Sequence, residues 1–302
     1  MMSQSINDDS SKNHLERIYQ LNHILYTATG CTRCKITKQF IKERGIAYEE
    51  FDIKAEGKDA FGRFYRENRH AIVRDKEGVE FPVFTDGDAI RQGLGAVIAY
   101  LQAGNRLDGF IGHSDLHQNW ISGLNISGGD PTEIDELVSV LSFIKKSGLK
   151  LQLDTNGRNA FILEKLLALE IGDRVIMDVK GPAPLYSKML GEEIDWDEIE
   201  KSIALVCRFP EYKYFTKVVP VTRGEEDNPE ISYLTPEEVG DTARLIEGAT
   251  GSKKHAFLLR IFDPATCSDA QLNAIEKLPS NALYKYRTAA RRFQVQTEID
   301  KI

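Results

Sequence analysis

Two cysteines two residues apart, placed directly after a short β-prone run, constrain this chain more than any other feature. The stretch runs Ile24-Leu25-Tyr26-Thr27-Ala28-Thr29-Gly30-Cys31-Thr32-Arg33-Cys34, and a basic, helix-favouring segment follows. A helix that starts at Thr32 or just before it puts Cys31 at its N-terminus. There, backbone N–H groups lack intrahelical partners and the helix dipole favours a thiolate. Arg33, Lys35 and Lys38 add positive charge that acts in the same direction. On this pattern Cys31 is the attacking thiolate, and Cys34, one turn later, closes an intramolecular disulfide.

The four cysteines in 302 residues are too few for a disulfide scaffold and fit a reducing cytoplasm. Cys207, in IEKSIALVCRF, reads as a plain core residue, and Cys267 lies in the loop PATCSD. A net charge of -7, with no Lys/Arg stripe interleaved with aromatics, argues against a nucleic-acid partner. No apolar run reaches the roughly 18–20 residues that span a bilayer, so no membrane segment is expected. The polar residues 1–20 have no apolar core of a secretory signal and read as a disordered arm.

Past the cysteines, Ile36, Phe40 and Ile41 recur at helical spacing up to Gly45, a natural helix stop. IAYEEFDI alternates as a strand, KAEGKDAFGRFYRENRHAIV is helical in character, and VEFPVFTDGDAI holds two β runs around Asp86-Gly87, a hairpin signal. GLGAVIAYLQAG closes the unit as an apolar helix. The predicted order over residues 21–103 is therefore β-α-β-α-β-β-α.

With YTATGCTRC after the first strand and Phe81-Pro82-Val83 before the hairpin, this segment resembles the glutaredoxin branch of the thioredoxin fold. The resemblance implies a cis Pro82 facing the dithiol and a catalytic set of Cys31, Cys34, Arg33 and Pro82. Taken by residues alone, a CxxC is also compatible with half of a zinc knuckle or with a degenerate remnant. Thr32-Arg33 stands where glutaredoxins usually carry Pro-Tyr, and Ala28 where they carry a lysine. Both departures shift the expected partner from glutathione toward a disulfide-bearing protein.

Residues 104–122 read as a boundary segment. Its His113 and His117, four apart, would share one face if helical and suit a metal in principle, but with Asp115 between them they read more simply as polar surface or satisfied core. No metal ligand is therefore assigned.

From residue 123 to 302 strands and helices alternate. GLNISGG, LKLQLDTNG, DRVIMDVKG, YKYFTKVVPVT and HAFLLRIFDPAT are β-branched or apolar and end in Gly, Pro, Asp or Asn. The pattern predicts parallel strands with helices outside, a barrel or partial barrel, and puts any functional loops at the strand C-termini. Those ends are Ser127-Gly128-Gly129-Asp130-Pro131, Asp154-Thr155-Asn156-Gly157, Asp178-Val179-Lys180 and Lys217 to Pro220.

Three of these ends, in this order, resemble the radical S-adenosylmethionine enzymes that activate glycyl-radical enzymes and anaerobic ribonucleotide reductase. The resemblance implies that Gly128, Gly129, Asp130 and Pro131 bind the methionyl amino group. It further implies that Asp154, Thr155, Asn156, Asp178 and Lys180 line the same pocket. The family's CxxxCxxC loop, whose thiolates hold a [4Fe–4S] cluster, is missing from this sequence. Without it a cluster has no protein anchor, so radical catalysis by this chain alone is not expected, while S-adenosylmethionine remains a candidate ligand. The plain alternative is turn chemistry at Gly128-Gly129 and helix capping by Asp and Asn.

The expected fold is thus α/β, a thioredoxin-fold, glutaredoxin-like domain followed by a partial (β/α) barrel of radical-SAM type. The expected function is reduction of a protein disulfide by a redoxin. The larger domain would choose the partner, a ribonucleotide reductase or glycyl-radical system, or sense S-adenosylmethionine. A radical activase that takes its cluster from another chain is the third reading.

Overall fold

The computed structural model describes residues 23–76, 78–223 and 230–300. The arm expected at 1–20 lies outside them. The chain divides into two compact units, residues 1–115 with 135–148, and residues 116–134 with 149–302.

The first unit carries the predicted order. β1 (Ile24–Thr27), α1 (Thr32–Arg44), β2 (Glu49–Asp52), α2 (Lys58–Glu67), β3 (Val83–Thr85), β4 (Ile90–Gln92) and α3 (Leu94–Ala103) follow one another. The four strands form a sheet ordered β2-β1-β3-β4, in which β1 pairs parallel with β2 and antiparallel with β3. This is a thioredoxin-like sheet. α1 ends where Gly45 adopts a left-handed conformation (φ 63°) and its N–H reaches the carbonyls of Ile41 and Lys42. Asp86 makes the hairpin turn by accepting from the N–H groups of Asp88 and Ala89, at 3.0 and 2.8 Å.

The unit boundary differs from the expected one. Residues 104–115 group with the first unit, and so does most of α4 (Ile134–Lys146), a helix that the alternation of the chain assigns to the second domain. The physical reason is side-chain packing. Phe143 meets Phe40 edge-on at 4.9 Å between ring centres, Gln102 donates to Glu136 at 2.7 Å, and Arg44 donates to Ser139 at 3.2 Å. Sequence order cannot show such contacts.

The second unit is built on a seven-stranded sheet. β5 (Leu116–His117) and β6 (Trp120–Asn125) pair antiparallel at one edge. β6, β7 (Lys150–Thr155), β8 (Arg174–Asp178), β9 (Glu211–Val218), β12 (Phe257–Ile261) and β13 (Thr297–Ile299) then run parallel in that order. Helices α5 (Ala160–Ala168), α6 (Ala183–Leu190), α7 (Trp196–Val206), α8 (Pro236–Thr250), α9 (Ala270–Asn273) and α10 (Leu283–Ala290) lie in the connections. A short hairpin, β10 (Pro220–Arg223) with β11 (Glu230–Tyr233), was not foreseen. Among the described residues β5 does not pair with β13, so the sheet stays open, a mixed α/β architecture rather than a closed barrel.

Parallel strands are normally buried on both faces. Here only one face is. Leu151, Leu153, Val175, Met177, Tyr214, Thr216, Val218, Phe257 and Leu259 are fully covered. The alternate residues Gln152, Asp154, Arg174, Ile176, Asp178, Phe215 and Arg260 are only half-buried, and Lys213 and Lys217 are exposed. On this open face Arg174 stacks 4.0 Å over Trp120, and Arg260 4.2 Å over Phe215.

Phe40 has no exposed surface and anchors α1 against Phe143. Phe40→Ala should cost about 3–5 kcal/mol of stability, read as a lowered denaturant midpoint, because the cavity it leaves is lined on all sides.

Candidate functional site

The strand–helix junction builds the first candidate site. Cys31 is the N-cap of α1, with extended backbone angles, and its sulfur accepts from the Cys34 N–H at 3.1 Å. One otherwise unpartnered amide of the first turn therefore points at the sulfur that would carry thiolate charge. Cys31 and Cys34 are joined as a disulfide with Cα atoms 5.3 Å apart. Cys31 is partly exposed, whereas Cys34 keeps 2% of its surface. Only Cys31 is open to an incoming disulfide.

The loop before the pair is held from β2. Asp52 accepts from the backbone N–H of Thr29 at 3.1 Å and from its hydroxyl, which keeps the Asp52 carboxyl below the usual carboxylate range. Lys54 donates to the Thr29 carbonyl at 3.1 Å. The Phe81–Pro82 peptide bond is cis, and the Phe81 carbonyl oxygen lies 3.8 Å from Cys31 Sγ.

The charges around the dithiol differ from what linear order suggests. Arg33 is ion-paired to Glu80 at 3.0 Å and Lys38 to Glu50 at 2.9 Å. Much of the positive field expected at Cys31 is thereby neutralised, which leaves the helix N-terminus as the main local stabiliser of a thiolate. Burial pushes the Glu80 carboxyl up, against the Arg33 guanidinium, which holds it down.

The second candidate site lies at the C-terminal edge of the open sheet. Asp154, Thr155, Asn156, Asp178 and Lys180 line one cavity of about 500 Å³. Asn125, Gln152, Ile176, Phe215 and Arg260 complete it. Position parity along each strand points to these residues only once the open face is known. Ser127 supports the loop, with its hydroxyl 2.8 Å from that of Thr155 and accepting from the Asn156 N–H at 3.1 Å.

Burial raises the Asp154 carboxyl to about 6, with Arg260 acting in the opposite direction. Asp178 pairs through Oδ2 with Lys180, while its Oδ1 is buried without a hydrogen-bond partner. Gly128, Gly129, Asp130 and Pro131 are not among the lining residues. Asp130 caps the following turn, accepting from the Thr132 N–H at 2.9 Å and from its hydroxyl at 2.7 Å.

The second unit holds two cysteines. Cys207 closes α7, its thiol 3.3 Å from the Ala204 carbonyl, and Cys267 ends a turn after β12. Two thiolates in separate loops do not make the three-cysteine anchor of a [4Fe–4S] cluster.

Residues 24–69 match the glutaredoxin family model. The first unit is a glutaredoxin-like domain. A stretch of 127 residues is 28% identical to a Methanocaldococcus jannaschii protein named as a glycyl-radical enzyme activating enzyme, covering 39% of this chain. The chain spans about half of that relative, 52% of its length. A solved domain of pyruvate-formate lyase-activating enzyme from Bacteroides vulgatus aligns over 59% of this chain and 98% of its own, with 13% identity and a TM-score of 0.39. The glutaredoxin-like segment thus stands in one chain with a stretch similar to a protein named as a glycyl-radical enzyme activating enzyme.

Asp154 ionises at a desolvation cost. Its raised value means that the cost is absent below the unfolded carboxylate range near 4 and fully present above about 6. Asp154→Asn removes it, so the variant should gain on the order of 1 kcal/mol over wild type in neutral solution and nothing near pH 4. Thermal melts at both pH values check the sign.

Proposed function

We propose that this chain is a thiol–disulfide redoxin that reduces a protein disulfide through Cys31 and Cys34. The observation that supports it most is the asymmetry of the pair. Cys31 is reachable, capped by the Cys34 N–H and set against the Phe81 carbonyl, while Cys34 is buried one turn behind it. Cys31 thiolate attacks one sulfur of the substrate disulfide and forms a mixed disulfide, and the other substrate sulfur leaves as a thiolate. Cys34, deprotonated, then attacks Cys31 Sγ, releases the second substrate sulfur and closes the intramolecular disulfide, which an external dithiol reductant reopens. The two electrons that reduce the substrate are those lost by the Cys31–Cys34 dithiol.

Ala28 in place of a lysine, and Arg33 held by Glu80, favour a protein substrate over glutathione. The second unit, related to an activating enzyme, would supply the docking surface. A glycyl-radical enzyme is the partner class this kinship suggests, and a ribonucleotide reductase system is the one the sequence resemblance adds.

A second reading rests on a separate observation. The buried, unpartnered Asp178 Oδ1 and the desolvated Asp154 line a cavity of about 500 Å³, which suits a polar nucleoside ligand such as S-adenosylmethionine. Asp154, Asn156, Asp178 and Lys180 would hold its polar groups and Phe215 would offer an aromatic wall. The ligand would then act as a signal, because the chain has no thiolate anchor for the cluster that cleaves it.

Cys31→Ser should abolish disulfide reduction in a coupled assay, and Cys34→Ser should accumulate a mixed disulfide visible on non-reducing gels. Full activity of Cys31→Ser would sink the redoxin reading. For the second reading, titration calorimetry with S-adenosylmethionine should give saturable heat that Asp178→Asn removes. Absence of heat at millimolar ligand would end it.

A further inference from the structure

Away from the dithiol and the strand-end cavity, one cluster of ligating side chains in the first unit is used by neither. Glu80, His113 and Asp115 bring a carboxylate oxygen, an imidazole nitrogen and a second carboxylate oxygen within 4.8 Å of one another. His113 Nε2 is 3.2 Å from Glu80 Oε2 and 3.6 Å from Asp115 Oδ1. Metal bonds of about 2.0–2.2 Å in a tetrahedron set neighbouring donor atoms about 3.3–3.6 Å apart. Both measured edges fall close to that spacing. The third closes by rotation of Asp115, whose side chain is 78% exposed.

Beyond burial, which pushes it up most, Arg33 and His113 hold the Glu80 carboxyl down, while Asp115 and Asp75 push it up. Glu80 itself keeps only 11% of its side-chain surface. Its Oε1 is buried and receives no hydrogen bond, although Arg33 Nη1 lies 3.0 Å away as an ion-pair partner. A largely buried carboxylate with an imidazole and a second carboxylate at bonding range has the composition of a cation site. One imidazole and two carboxylates suit a first-row divalent ion; calcium and magnesium prefer all-oxygen shells, and copper(I) prefers thiolates.

We propose that Glu80, His113 and Asp115 bind a divalent transition ion, with water completing its shell. His117, which helical spacing pairs with His113, is not part of the site. It lies on strand β5 in the second unit. The ion would share Glu80 with Arg33 of the Cys31–Cys34 motif, yet the site does not depend on thiol chemistry.

The test is calorimetric titration of the full chain with Zn²⁺ in its disulfide form, so that Cys31 and Cys34 offer no thiolate. One ion per chain is expected. Asp115→Asn and His113→Ala should each weaken binding by at least about tenfold, since loss of even outer partners of a metal site costs 10–100-fold. The exposed Asp115 makes the first variant safe for folding, and circular dichroism checks both. No uptake at millimolar Zn²⁺ overturns the proposal, and so does a weakening below tenfold in a folded Asp115→Asn chain, which would assign the ion to Cys207, Cys267 or adventitious carboxylates.

Discussion

The first turn of a helix leaves its amide protons without partners, and in this chain a cysteine sulfur meets that need. Cys31 accepts from the Cys34 N–H, so the atom that would carry negative charge is the atom that caps α1. Much else in the first unit serves this junction. Asp52 ties the preceding loop to β2, α1 buries Phe40 and Ile41 to fix its direction, and the Phe81 carbonyl lies beside the sulfur. Capping and nucleophile preparation are here one interaction.

In the second unit the governing constraint is one-sided burial. A parallel sheet with both faces covered has room for ligand only at its loops. With one face left half-exposed, Asp154, Asp178, Phe215 and Arg260 are held on rigid strands and meet at one edge. Rigid strands position such groups more closely than loops would. The raised Asp154 carboxyl and the unpartnered Asp178 oxygen follow from crowding polar groups where water is partly excluded.

Local signals were legible where chemistry and backbone coincide. The CxxC after β1, Gly45 as a helix stop, Asp86-Gly87 as a turn and five parallel strands ending in polar residues could all be read in linear order. Their causes lie within a few residues of one another. The hairpin β10–β11 was not read, because its strands are short and carry no strong two-residue turn signal. Their place at strand ends singled out Asp154 and Asp178 but left Arg260 and Phe215 aside, since the face these share appears only when β9 and β12 pair.

By itself the sequence determined the order of elements in the first unit, the place of the dithiol and the lack of a CxxxCxxC motif, for these depend on local propensity and on residue spacing. Tertiary structure decided the electrostatics and the boundaries. Arg33 looked free beside Cys31 and is bound by Glu80; α4 looked part of the second domain and groups with the first; His113 read as plain polar surface or core and meets Glu80. The reason is common to all three. Coulombic and packing energies depend on distance through space, and the partners concerned are separated by long stretches of chain that no periodicity or motif connects.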